Sequence, residues 1–181
     1  MEHELRQRIE NEIPRLRRYA RALTRNETAA DDLVQDTLLR GLSKLHLWQE
    51  GTDLRAWLFT ILHNQHVNQV RRGVREGAAV AVSESEPSLR RAPDQDDHLA
   101  LRDLDRAMAL LPEEQRVVIL MVGLEGMRYE AVAKIIGVPV GTVRSRLSRG
   151  REALRQLMGI REDRRAEQAM LAARSNRRLA A

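Results

Sequence analysis

The chain has 181 residues, with 31 Lys and Arg against 26 Asp and Glu, a net charge of +5 and no cysteine. That length holds one domain or two small ones, and the missing thiols exclude disulfides, thiolate metal sites and a cysteine nucleophile. Aromatics make up 3% while Ala, Leu, Arg, Glu and Gln dominate, which argues against an all-β fold and for a basic, mostly helical protein with an anionic partner such as nucleic acid.

The chain begins Met1-Glu2-His3-Glu4-Leu5, without the apolar stretch of a signal peptide. Helical apolar periodicity then runs over residues 5–72. Within it, Thr28 to Leu45 reads as a helix, and Thr28 with Asp31 resembles a capping box with Asp in place of Glu or Gln. Ala30, Leu33, Val34, Thr37, Leu38, Gly41 and Leu45 form its inward face. Asp32, Gln35, Asp36, Leu39 and Ser43 face outward, and a leucine among carboxylates and an amide suits docking as well as it suits a merely solvated face.

A polar loop comes next, Trp48-Gln49-Glu50-Gly51-Thr52, able to cradle an unstacked base, although a tryptophan such as Trp48 or Trp57 is more often a core residue than a ligand-facing one. Asp53 to Arg72 reads as another helix, with Leu54, Trp57, Leu58, Ile61 and Leu62 buried. Its second half is rich in amides (Asn64, Gln65, Asn68, Gln69) and ends in Arg71-Arg72. Amides suit base edges, and arginines suit a nucleic-acid backbone.

Residues 73–98 break the pattern with Gly, Ser and Pro, and with three arginines against six carboxylates. No apolar face is visible, so this is expected to be a flexible acidic linker. Periodicity resumes over 99–158, and 159–181 form an Arg- and Ala-rich basic tail. The longest apolar run, Val117 to Val122, falls well below the ~18 residues of a membrane span.

In the second module Pro112, followed by Glu113-Glu114, marks a helix start. Tyr129, Val132, Ala133 and Ile136 share one face, Gly137 ends that helix, and Thr142 begins or caps the next. Val143, Leu147, Gly150 and Leu154 form the buried stripe of this last helix. Its other side shows Thr142, Ser145, Ser148 and Arg149, flanked by Arg144, Arg146, Arg151 and Arg155. From Val140 to Arg155 five arginines stand against one glutamate. Two short helices about a Gly-containing turn, the second polar and arginine-studded, form the pattern of a helix-turn-helix.

Taken together, these segments resemble bacterial RNA polymerase sigma factors of the extracytoplasmic-function group, over about Ile13 to Met158. AADDLVQDTLLRG (Ala29 to Gly41) is similar to their region 2.2. LRAWLFTILHNQHVNQVRR (Leu54 to Arg72) is similar to regions 2.3 to 2.4, and Leu111 to Arg155 is similar to region 4. The resemblance implies two helical domains, residues 5–72 as region 2 and 99–158 as region 4.

It also implies a set of partners: core RNA polymerase (β′ clamp and β flap), promoter DNA and an anti-sigma factor, in the cytoplasm, with no cofactor and no catalysis of its own. Asp32, Gln35, Asp36 and Leu39 would dock on the β′ clamp. Trp48, Gln49, Glu50, Gly51, Thr52, Asn64, Asn68, Arg71 and Arg72 would serve the minus-ten element. Thr142, Arg144, Ser145, Arg146, Ser148 and Arg149 would read the minus-thirty-five element. His63 and Asn68 depart from the family's common Arg and Asp, which bears on promoter sequence more than on function.

A free-standing helix-turn-helix repressor would explain only the second module, and no dimer face stands out. A metal-dependent hydrolase would rest on His63 and His66, three apart on one helix, without an HExxH or a third ligand at a telling spacing.

Overall fold

A computed structural model describes residues 2–75 and 95–159, and every regular element among them is helical. The first module consists of α1 (Glu2–Thr24), α2 (Glu27–Ser43), a 3-10 turn (Leu45–Leu47) and α3 (Leu54–Arg75). α1 buries Ile9, Leu16, Tyr19, Ala20 and Leu23, against Leu33 and Val34 of α2 and Leu58, Phe59 and Leu62 of α3. α2 and α3 approach closely at Gly41, where an added Cβ would lie 3.3 Å from Leu58 Cδ2. The Tyr19 and Phe59 rings stack at 5.2 Å with a 57° tilt, a favoured aromatic geometry.

The expected helices are present, with different ends. The cap of α2 is Asn26 rather than Thr28: its side chain accepts from the Ala29 amide at 2.9 Å. Thr28 and Asp31 therefore sit inside the helix. α1 ends at Thr24 and Arg25 turns the chain at φ 56°, so only Asn26 keeps the extended backbone that capping needs. Asp53 caps α3 by accepting from the Ala56 amide at 3.0 Å.

α3 runs past Gly73 to Arg75, and α4 already begins at Gln95. The ends of the expected linker are thus helical. Arg72 and Arg75 in the last turn of α3 complement its negative C-terminus, which offsets the cost of Gly73. The rest of that expected linker, 76–94, and the expected tail from 160 lie outside the described residues.

The second module comprises α4 (Gln95–Leu110), α5 (Glu113–Ile119), a π-helical turn (Leu120–Leu124), α6 (Tyr129–Ile136) and α7 (Val140–Leu157). Val118, Met121, Val132 and Val143 lie at its centre. Gly137 ends α6 at φ 69°, a left-handed conformation that favours glycine, and its amide bonds back to Ala133 O. α7 begins two residues before Thr142, because Pro139 presets the turn and accepts from the Thr142 amide at 2.9 Å.

Two basic modules on a flexible tether would be separate bodies. They pack together instead: α1 and α3 lie against the π-helical turn and α6. A body of about 60 residues buries little surface alone, so a shared seam adds what each core lacks. No described helix is long and apolar enough to cross a membrane.

Candidate polymerase and nucleic-acid interface

The first surface lies on α2. Burial of Ala30, Leu33, Val34, Thr37 and Gly41 turns Asp32, Gln35, Asp36 and Leu39 to solvent. Leu39 is 59% exposed, so an apolar side chain stands among the carboxylates and amide of this face. Leu42 and Leu47 are also exposed and extend the apolar strip beyond the expected residues. Leu42 follows Leu39 by three positions on one helix, a spacing readable in the sequence.

The second surface joins the loop after α2 to the outer face of α3. Gln49, Glu50, Gly51 and Thr52 are exposed. Gly51 at φ 87° takes a conformation rare for other residues, and the Thr52 hydroxyl donates to Gln49 O at 2.7 Å to close the turn. Trp48 is only half-buried, with the Arg8 guanidinium 5.2 Å from its ring centre and its indole Nε1 buried without a partner.

Along α3, Asn64, Asn68, Arg71 and Arg72 fall at i, i+4, i+7 and i+8 and form one exposed stripe. Gln65 does not belong with them, since it is buried, as is His66. The amide-rich segment therefore serves two faces, which composition could not separate.

The third surface is α7. With Val143, Leu147 and Gly150 buried, Arg144, Ser145, Ser148 and Arg149 point outward, and Thr142 is half-covered. Ser145 Oγ donates to Thr142 O at 3.0 Å, and Arg149 Nε reaches Ser145 O at 3.4 Å. The Arg144 guanidinium lies 6.0 Å from the Tyr129 ring centre. Arg146 differs from its neighbours: it pairs with Glu114 of α5 and so braces α7 against its own module.

Sequence reasoning missed the seam. Glu125 is a fully buried carboxylate, accepting from Arg18 Nε of α1 and Arg55 Nη2 of α3, each at 2.9 Å. Arg25 forks onto Asp105 of α4 at 3.0 and 3.3 Å. His66 Nε2 lies 2.9 Å from Glu113 Oε1 of α5. The close approach of His66 holds Glu113 below the usual carboxylate range, more strongly than burial raises it. Burial, together with the nearby His66, holds His63 below the usual histidine range. Burial also pushes the Tyr19 phenol far above its usual range. The only hint in the sequence is an acid between glycines, Leu124-Glu125-Gly126, just after an apolar run. Among the described residues no group of three or more His, Cys, Asp or Glu is placed to hold a metal ion.

Two family models match the chain, one described as the Sigma2 domain of PhyR over residues 9–63 and one as Sigma-70, region 4, over 101–154. The chain is also 40% identical, over 148 residues, to the ECF RNA polymerase sigma factor EcfG of Rhodopseudomonas palustris (strain TIE-1), covering 82% of this chain and 81% of that one. The chain belongs to the extracytoplasmic-function sigma factors.

Solved structures agree with that membership. The sigma factor RpoE of Bartonella quintana, in complex with the anti-sigma factor NepR, superposes with a TM-score of 0.74 at 35% identity, covering 87% of this chain and 98% of that one. CnrH, in complex with the cytosolic domain of CnrY, superposes with a TM-score of 0.66 at 25% identity, covering 88% and 90%. In this sigma factor the α2 and α3 surfaces thus lie on the region 2 module, and the α7 surface on region 4.

Proposed function

We propose that this sigma factor binds core RNA polymerase, acts in the cytoplasm and directs initiation at promoters carrying minus-ten and minus-thirty-five elements. Asp32, Gln35, Asp36 and Leu39 take the polymerase clamp. Trp48 to Thr52 with Asn64, Asn68, Arg71 and Arg72 serve the minus-ten strand. Thr142, Arg144, Ser145, Ser148 and Arg149 face the minus-thirty-five duplex, with Arg146 at its edge. The polymerase supplies the chemistry, and the sigma factor supplies position. An anti-sigma factor is the natural antagonist, since RpoE was solved with such a partner and CnrH with a partner's cytosolic domain.

One observation carries this reading. An exposed acid, amide and leucine face on α2 shares a chain with an exposed arginine and serine face on α7. A free-standing repressor has use for the second face only.

In vitro transcription with core polymerase on a genomic library, with start sites mapped, tests it. Starts that share two spaced elements are expected. Asp32→Lys with Asp36→Lys should weaken core binding by about tenfold or more, because like charges then meet across the interface, while the fold persists. Unchanged core binding would remove the docking assignment. Tight sequence-specific duplex binding without polymerase, and no directed transcription, would favour the repressor.

A further inference from the structure

Two adjacent acids at the start of α5 meet different neighbours. Glu113 lies against His66 of α3, whereas Glu114 pairs with Arg146 of α7. The second pair links two helices whose spacing is set by packing. Gly150 follows Arg146 by four residues, on nearly the same face of α7. It lets α5 approach until an added Cβ would lie 3.2 Å from Gln115 Cβ. Glu114 immediately precedes Gln115, so its backbone is held beside Arg146 whether or not the ion pair forms.

The arginines from 144 to 151 therefore stand in different states. Arg144, Arg149 and Arg151 are exposed, with Arg144 leaning on Tyr129 and Arg149 reaching back to Ser145 O. The Arg146 side chain is only 21% exposed, with its guanidinium drawn toward α5. Among the described residues, Glu114 is the one acid of another element that pairs with a cation of α7; Arg155 pairs within its own helix.

A guanidinium on the flank of a recognition helix ordinarily takes a DNA phosphate. Each such contact adds affinity on every sequence and steepens the fall of affinity with salt by about 0.9 in logarithmic slope. Glu114 competes for that guanidinium. A phosphate could recruit Arg146 only by stranding the Glu114 carboxylate beside it, like charge against like charge.

We infer that Glu114 is a positioning residue for duplex reading: it holds Arg146 on α5 and off the phosphate backbone. The recognition helix then binds with one sequence-independent contact fewer than its arginines could make, and is held less tightly on arbitrary DNA. This rests on the proposed role of α7 as the helix that meets the minus-thirty-five duplex.

The test uses holoenzyme assembled from core polymerase and the full-length chain. It is titrated with a fluorescent duplex carrying the minus-thirty-five element found by start-site mapping, and with a scrambled duplex. The ratio of variant to wild-type affinity cancels the polymerase's own contacts. Glu114→Gln should bind both duplexes about three- to tenfold more tightly at about 50 mM salt, and this gain should shrink about threefold by about 200 mM. In an Arg146→Gln background the same change should give no gain. A structural brace alone would leave the salt dependence unmoved.

Circular dichroism checks that the helices persist. Glu114→Asp keeps an acid in the first turn of α5 but draws it back from Arg146, so it should show a smaller gain with the same salt trend. It decides the matter if Glu114→Gln loses helicity. Equal or weaker binding by the folded variants, a gain that does not change with salt, or a gain that survives Arg146→Gln overturns the inference alone. A wild-type chain that adds no promoter binding to that of core polymerase overturns the proposed function, and the inference with it.

Discussion

At the scale of single residues, a glycine and two arginines have effects that can be ranked. At Gly150 an added Cβ would lie 2.6 Å from Ile119 Cδ1 and 3.2 Å from Gln115 Cβ. Alanine gains ~0.5–1 kcal/mol in a helix, but overpacking costs ~1–3 kcal/mol. The Ile119 methyl can swing aside, whereas Gln115 Cβ is held by its backbone, so overpacking wins. Gly150→Ala should destabilise the protein by about 1 kcal/mol, read from urea unfolding.

On the exposed side of α7, Arg149 lies one turn beyond Ser145 and faces outward, while Arg144 leans toward Tyr129. Arg149→Ala should relax preference at one or two minus-thirty-five positions by ~1–3 kcal/mol, whereas Arg144→Ala should lower affinity evenly and flatten its salt dependence. Promoter-library selection with each variant separates the two. A uniform loss of signal for Arg149→Ala would move it to the backbone contacts.

At the scale of elements, periodicity located the helices and missed their ends. The buried positions of α2 and α7 follow the spacing of their apolar residues, because a 3.6-residue repeat is a property of the local chain. Caps depend on where the preceding turn releases the backbone. Thr28 and Asp31 carry suitable side chains, yet the left-handed Arg25 gives the cap to Asn26. Asn26→Ala should therefore cost about 1 kcal/mol and Thr28→Ala much less, compared by thermal melting. Equal costs would return the cap to Thr28. The amides of α3 illustrate the same limit, since Asn64 and Gln65 have similar chemistry and opposite exposure.

At the scale of the whole molecule, the seam couples stability to pH. His63, held below its ordinary value of 6.5 chiefly by burial, binds fewer protons folded than unfolded. Its contribution is complete above that value and declines as pH falls below it. Glu113, held below its ordinary value of 4.5 chiefly by His66, contributes fully above that value and loses its contribution as pH falls through its folded value. Both effects have the same sign. The melting temperature should fall on acidification from about pH 7 to about pH 4, and His63→Gln should flatten the upper part of that fall. A flat profile between about pH 7 and pH 5 in the wild type would show that His63 is not strained by its surroundings.

The sequence alone determined the helical class, the two modules and the α2 and α7 surfaces, because each rests on residues within a few turns of one another. The family pattern is equally local, carried by Ala29 to Gly41, Leu54 to Arg72 and Leu111 to Arg155. Only the tertiary structure decided that the modules pack together, that Gln65 turns inward and that Arg146 braces α5 rather than standing free. It alone paired Arg18 with Glu125 across 107 positions and Arg55 with Glu125 across 70. A carboxylate in a short glycine-flanked loop ordinarily belongs in water. Whether it is buried depends on cations from two other helices, and their arrival is a property of packing that no local pattern records.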